Sequence, residues 1–287
     1  MARRSRNSHT RSLLLAMAVA VAASAGMAGQ ASAAGFLPHQ ALYDLSLLKS
    51  RGSASIDSAR GRILYNFTGS ACEGYTSEFR QVSELNSGEG KVTLSDLRST
   101  SWEDGAGKSY RFKIDSRMND TDSSAVDGIA ERTGDHITVK LKQPEAKTFT
   151  LDGSTVFPTE QVQRIISAAR EGKSLLELTV YDGSDNGQKV YNTLTVIGQP
   201  IRGDRTTAAP DPSVTNDQMK SLTRWPVTVS YYDRDTKGKD GEQTPAYAMS
   251  FELFENGVSR ALVLDYNDFV ISGALGKFDA KDSKPCK

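Results

Sequence analysis

Apolar residues recur at every second position in short segments along most of the chain. Ile63, Tyr65 and Phe67 form one such series, and Tyr110, Phe112 and Ile114 a second. Ile137, Val139 and Leu141 form a third, and Val227, Val229 and Tyr231 a fourth. A period of two places one face of each segment in a core and the other in water, which is the pattern of antiparallel strands. Gly, Asp, Asn and Ser bound the segments, as hairpin turns require. Further strands are expected at 41–49, 75–85, 91–102, 175–182, 189–198, 247–255, 258–266 and 269–275.

One stretch follows the helical period instead. Val162, Ile165, Ile166 and Ala169 share one face of a helix expected over 159–171, with Thr159 as N-cap and Gly172 as the stop. Pro158 is expected to end the preceding strand. A single amphipathic helix in a strand-rich chain must bury its stripe, and covering an open end or face of the sheet would do so. From Gly203 to Ser221 the chain reads as a long irregular connection, with a short helical turn after Asp217. Strands resume in the same style after Pro226, so the chain reads as an all-β protein of one domain.

The first 33 residues stand apart from this pattern. Arg3, Arg4, Arg6 and Arg11 precede an apolar run from Leu13 to Ala25, and Ala31-Ser32-Ala33 closes it. That is the make-up of a cleaved secretory signal, and the run is shorter than the roughly 20 apolar residues of a membrane span. Residues 1–33 are therefore expected to be removed and 34–287 to form the folded domain, placed in the periplasm without a membrane span. The full chain carries 35 basic and 35 acidic residues; loss of four arginines leaves 31 against 35, a formal charge of −4. A mildly acidic chain without a basic stripe is unsuited to nucleic acid.

Two cysteines remain, Cys72 and Cys286. An even count in an exported chain points to one disulfide rather than two unrelated thiols, and no neighbouring Cys or His offers metal-ligand spacing. The loop it closes is 286 minus 72 plus 1, or 215 residues. Chain entropy puts such a bond at roughly 5 kcal/mol as an upper figure.

No catalytic, cofactor or metal set stands out. Asp182-Gly183-Ser184-Asp185-Asn186-Gly187 begins like a calcium loop, but the twelfth position, which wants a bidentate Glu, is Thr193. The same residues suit a tight hairpin turn between strands. Asp233-Arg234-Asp235-Thr236-Lys237-Gly238 reads as a solvated turn. After signal removal only His39 and His136 remain as histidines, and no Gly-x-Ser-x-Gly nucleophile setting accompanies them. Trp102, Tyr75, Phe79, Tyr231, Tyr232 and Phe254 fall at strand positions, where a core is their ordinary place and a ligand groove the rarer one.

Particular words then point to a family. Tyr43-Asp44-Leu45, Gly69-Ser70-Ala71-Cys72-Glu73-Gly74-Tyr75, Tyr181-Asp182-Gly183-Ser184-Asp185, Phe251-Glu252-Leu253-Phe254-Glu255-Asn256-Gly257-Val258 and the terminal Cys286 resemble the alphaproteobacterial periplasmic proteins of the cell envelope integrity EipB type. The resemblance implies an antiparallel sheet wound into an open spiral or unclosed barrel, one helix, and a disulfide between Cys72 and Cys286. It also implies a non-enzymatic role in envelope integrity, through a periplasmic tetratricopeptide-repeat partner. Two other classes compete: a carrier of lipid or another apolar ligand inside a curved sheet, and a hydrolase of an envelope polymer, for which only scattered carboxylates speak.

Overall fold

A computed structural model describes residues 35–51, 56–88, 90–119, 122–203, 211–235 and 243–282. The expected signal segment and Cys286 lie outside the described residues. Eight strands follow one another as hairpins: β1 (His39–Ser50), β2 (Ile56–Ser70), β3 (Gly74–Ser87), β4 (Lys91–Glu103), β5 (Ser109–Met118), β6 (Asp122–Thr133), β7 (His136–Gln143) and β8 (Lys147–Asp152). Helix α1 (Pro158–Arg170) comes next, then β9 (Leu175–Val180) and β10 (Tyr191–Ile197). The one-turn helix α2 (Pro212–Thr215) precedes β11 (Arg224–Asp233), β12 (Tyr247–Phe254), β13 (Ser259–Asp265) and β14 (Phe269–Ala280).

All fourteen strands form one antiparallel sheet, in the order β8-β7-β6-β5-β4-β3-β2-β1-β14-β13-β12-β11-β10-β9. The two edge strands, β8 and β9, are consecutive in the chain, so the sheet winds round until its edges meet. Among the described residues they are joined at one point, just after β8: Val156 forms an isolated parallel bridge with Val180, with the Val156 amide on the Thr179 carbonyl (2.8 Å) and the Tyr181 amide on the Val156 carbonyl (3.0 Å). The result is an unclosed barrel: the strand pattern led one to expect the antiparallel strands, and the resemblance their unclosed winding.

The interior is filled from three sides. Tyr43, Ile63, Leu264 and Ile271 pack where β1 and β2 meet β13 and β14. Tyr110, Phe112, Ile137, Val139 and Phe157 pack inside β5–β7. Against β10–β12, α1 sets Ile165, Ile166, Ala168 and Ala169 on Trp225, Val227, Val229 and Leu253. Helix α1 thus occupies the inside of the spiral rather than capping an end.

Several expectations are corrected. Helix α1 begins one residue earlier, with Pro158 in its first turn and Phe157 as N-cap in place of Thr159. Proline suits that position because its fixed φ is already helical and its missing N–H would have no partner there. The stop at Gly172 holds: its φ is +73°, and the Gly172 and Lys173 amides bond the Ala169 and Ala168 carbonyls. Strands β6 and β8 escaped the pattern, because β6 offers only Val126, Gly128 and Ala130 to the inside and β8 is a short edge. In the long connection α2 lies at 212–215, ahead of the expected turn, and Asn216 then accepts the amides of Met219 and Lys220. Buried Arg224 and Arg260 share Glu252 at 2.6 Å, and Arg260 also bonds Asp211, the N-cap of α2, which ties this connection to the sheet.

Candidate functional site

The segment expected as a tight hairpin, 182–187, is the first surprise. Strand β9 ends at Val180 and β10 starts at Tyr191, and the ten residues between them fold into the spiral rather than out into solvent. Tyr181 is fully buried, edge-on to Phe112 and Phe149, and its hydroxyl donates to the Gly187 carbonyl (2.6 Å). Gly183 has φ +72°, and a Cβ there would stand 2.4 Å from the Phe112 ring. Gly187 is pressed on Val126 and Leu141 in the same way. The glycines that read as turn residues therefore serve close packing on the opposite wall.

This insertion gathers tyrosines around Asp182. The Tyr110 hydroxyl donates to the Asp182 carbonyl (3.0 Å), and Ser184, whose amide donates to the Asp182 carboxylate (2.9 Å), reaches the Tyr191 hydroxyl (3.5 Å). Tyr231 stacks on Tyr247 at 4.5 Å, and Tyr191 stands edge-on to both at 5.9 Å. Desolvation holds the Asp182 carboxyl above its ordinary range. Burial, and then the Asp182 charge, raise the phenols of Tyr110, Tyr181, Tyr231 and Tyr247. A cavity of about 250 Å³ opens beside this group, lined by Ser184, Asp185, Tyr191, Tyr247, Met249 and Tyr266 among others. Asp185 pairs with Lys189, which also pairs with Asp233. Among the described residues no group of three or more His, Cys, Asp or Glu could hold a metal ion.

A second cavity, of about 140 Å³, lies between the start of α1 and β1–β3, walled by Phe36, His39, Tyr65, Phe67, Val162 and Gly257. Beside it the α1 amides of Thr159 and Glu160 donate to the two Glu103 carboxylate oxygens at 2.7 and 2.8 Å. Glu103 therefore performs the capping that Phe157 cannot. Burial pushes its carboxyl up to about 7 against those bonds. Arg132 locks the same corner, bonding Gly107, Gly153, Thr155 and Glu160.

The histidines are far apart in role. His39 is buried with its Nδ1 on the Leu37 carbonyl, and burial lowers its pKa. His136 is exposed at the start of β7 beside Asp135. Of the aromatics, Tyr75, Tyr231 and Phe254 are buried, whereas Trp102, Phe79 and Tyr232 are half-buried. Cys72 is exposed in the turn between β2 and β3, and no described cysteine is free. Its expected partner lies outside the described residues.

The outer face carries a feature that the alternation hides. Leu42 pairs with Leu64, and Leu64, Val82 and Leu94 then step diagonally from β2 to β4 on the convex side. Leu64, Val82 and Leu94 are 42, 41 and 47% exposed, which is high for apolar residues in a sheet interior. Ion pairs flank the stripe: Arg62 with Asp44, Arg60 with Glu84, and Arg80 and Arg98 both on Asp96. The legible signal was an apolar residue at a polar-phase position, as where Leu64 interrupts Ile63 and Tyr65. Two broad depressions of about 640 and 680 Å³ also lie on the outer surface.

Comparison with known proteins follows this geometry closely. Residues 30–282 match the EipB-like family. The cell envelope integrity protein EipB of Brucella abortus (strain 2308) is 36% identical over 261 residues, covering 90% of this chain and 89% of that protein. The crystal structure of a beta-barrel-like protein of a domain of unknown function from Brucella abortus superposes with a TM-score of 0.77 at 32% identity, covering 87% of this chain and all of the other.

Proposed function

Since this chain belongs to the EipB-like family, we propose that it supports cell envelope integrity as a non-enzymatic periplasmic protein that works through protein–protein contacts. The kinship supplies the envelope role. The exposed stripe Leu64–Val82–Leu94, set among ion pairs, carries the contact role: apolar side chains on the solvent face of a long sheet are costly unless something covers them. The tetratricopeptide-repeat protein implied by the resemblance is the candidate partner.

The interior speaks against an acyl-chain carrier. Among the described residues, two cavities inside the spiral, of about 140 and 250 Å³, fall below the roughly 300–1,000 Å³ typical of small-molecule pockets, and α1 and the 181–190 connection pack beside them. A hydrolase has only scattered carboxylates to speak for it. Deleting the gene tests the envelope role. The deletion strain is expected to lose growth on detergent and under cell-wall antibiotics and to regain it with the full chain; unchanged growth would refute the role.

A further inference from the structure

The depression of about 640 Å³ on the outer surface lies across β3–β7, and β5 supplies its centre. Arg111 and Lys113 are both exposed there, two residues apart on one face of the strand, so their Cα atoms stand about 6.5–7 Å from each other. Register sets Arg111 between Trp102 and Ile129, and Lys113 between Thr100 and Asp127. Arg111 is held in place. Its guanidinium lies over the Trp102 ring at 5.3 Å, and the indole Nε1 donates to the Glu73 carbonyl (3.2 Å). The ring is seated on Gly74, where φ is +79° and a Cβ would stand 2.6 Å from the indole. A guanidinium stacked on a ring keeps its in-plane N–H donors for a ligand, and a fork fixed in this way loses little freedom on binding.

The charge of the lining is one-sided. Arg111, Lys113 and Lys142 stand against the single acid Asp127, a surplus of two positive charges on a chain whose 35 basic and 35 acidic residues balance overall. Asp127 is paired with Lys142 at 3.6 Å, although Lys113 is its partner across the strands. Among the described residues neither Arg111 nor Lys113 forms an ion pair, so the two cations at the centre are free for a ligand. Glu78 and Asp115, which face Thr100 and Arg98 across the strands, stand outside the lining, and Glu78 accepts from Asn66.

Two free cations narrow the anion. A carboxylate brings one charge and two oxygens, which the Arg111 fork alone would satisfy. A phosphomonoester carries about −1.5 to −2 at pH 7 on three strong acceptor oxygens, which engage the fork, the Lys113 ammonium and a hydroxyl together. Thr100, opposite Lys113 and in the lining, offers that hydroxyl. We propose that Arg111 and Lys113 bind a phosphomonoester group. The depression is much larger than a phosphate needs, and its remainder receives the body of the ligand.

The test uses the folded mature chain at constant ionic strength and pH 7.5. N-acetylglucosamine 1-phosphate is titrated while the Trp102 indole and Arg111 side-chain signals are followed by NMR, with glucuronate as the singly charged carboxylate and N-acetylglucosamine as the uncharged control. Saturable binding of the phosphate is expected, with shifts at both residues, at least about tenfold weaker binding of glucuronate, and none of the uncharged sugar. Arg111→Gln and Lys113→Gln are each expected to weaken phosphate binding about five- to tenfold, and Lys142→Gln to change it less than about twofold. All three lie on the solvent face and are expected to melt within about 2 °C of the parent, so lost binding is not lost folding. Absence of saturation, equal binding of glucuronate, undiminished binding by Arg111→Gln and Lys113→Gln, or an equal loss in Lys142→Gln would overturn the assignment. Flotation with vesicles containing phosphatidate, a phosphomonoester, against phosphatidylglycerol, a diester, then separates the sources. Selective association with phosphatidate supports a lipid source, binding of the sugar phosphate alone supports a soluble one, and equal association with both lipids would contradict recognition of a phosphomonoester.

Discussion

Glu103 shows how a single residue couples charge to architecture in this molecule. It is 2% exposed, it holds the first two amides of α1, and burial places its carboxyl at about 7, above the unfolded value of 4.5. For an acid raised in the folded state, the neutral form favours folding. The stabilisation is complete below pH 4.5 and is lost as pH rises through about 7. A shift of that size corresponds to roughly 3 kcal/mol. Urea melts between pH 5 and 8 are expected to show a decline in stability that Glu103→Gln removes; the same decline in the variant would mean that another group is responsible. Gly183 is a second such residue, placed by backbone and space together. Gly183→Ala is expected to lower stability by about 2–4 kcal/mol, from a strained backbone and a clash with Phe112. An unchanged urea midpoint would contradict the seating of this connection inside the spiral.

At the level of elements, the strands whose inward positions are large and regularly spaced were legible in the sequence, because burial on one face writes a period of two. Strand β6 was not, since Gly128 stands where the Phe112 and Leu141 side chains need room and so removes an apolar mark. The 181–190 connection was misread for a related reason. Glycines with positive φ serve a hairpin and a close-packed insertion equally well, and only the opposite wall decides between them. The cavity beside Tyr191, Tyr247 and Tyr266 was illegible because its walls come from separate strands and loops. The disulfide belongs to this scale as a proposal. Ala280 pairs with His39 and His39 with Phe67, so the tail leaves the sheet at the end of β2 that leads into the Cys72 turn. The Lys281 amide and ammonium hold it there, on Pro38 and Asn66. Six residues from Ala280 and five from Phe67 give each cysteine a reach of roughly 15–20 Å, enough to meet. Cys72→Ser is expected to melt about 5–10 °C lower than the oxidised wild type and to match the reduced one. Equal melting of oxidised and mutant proteins would contradict the disulfide.

The described domain is a sheet wound round its own helix, with one bridge between its edges among the described residues and α1 and the 181–190 connection packed inside. Such a body has little interior to offer and a long convex face to present. The stripe on that face is therefore the centre of the functional account, and it can be altered without touching the core. Leu64→Glu would face Arg80 across the strand and Leu94→Lys would face Glu84, so each new charge meets an opposite one. The double variant is expected to melt within about 2 °C of the parent, as solvent-face substitutions do. Expressed at parental level in the deletion strain, it is predicted to leave growth on detergent unrescued. Full rescue by this folded variant would contradict the claim that the protein acts through its outer face.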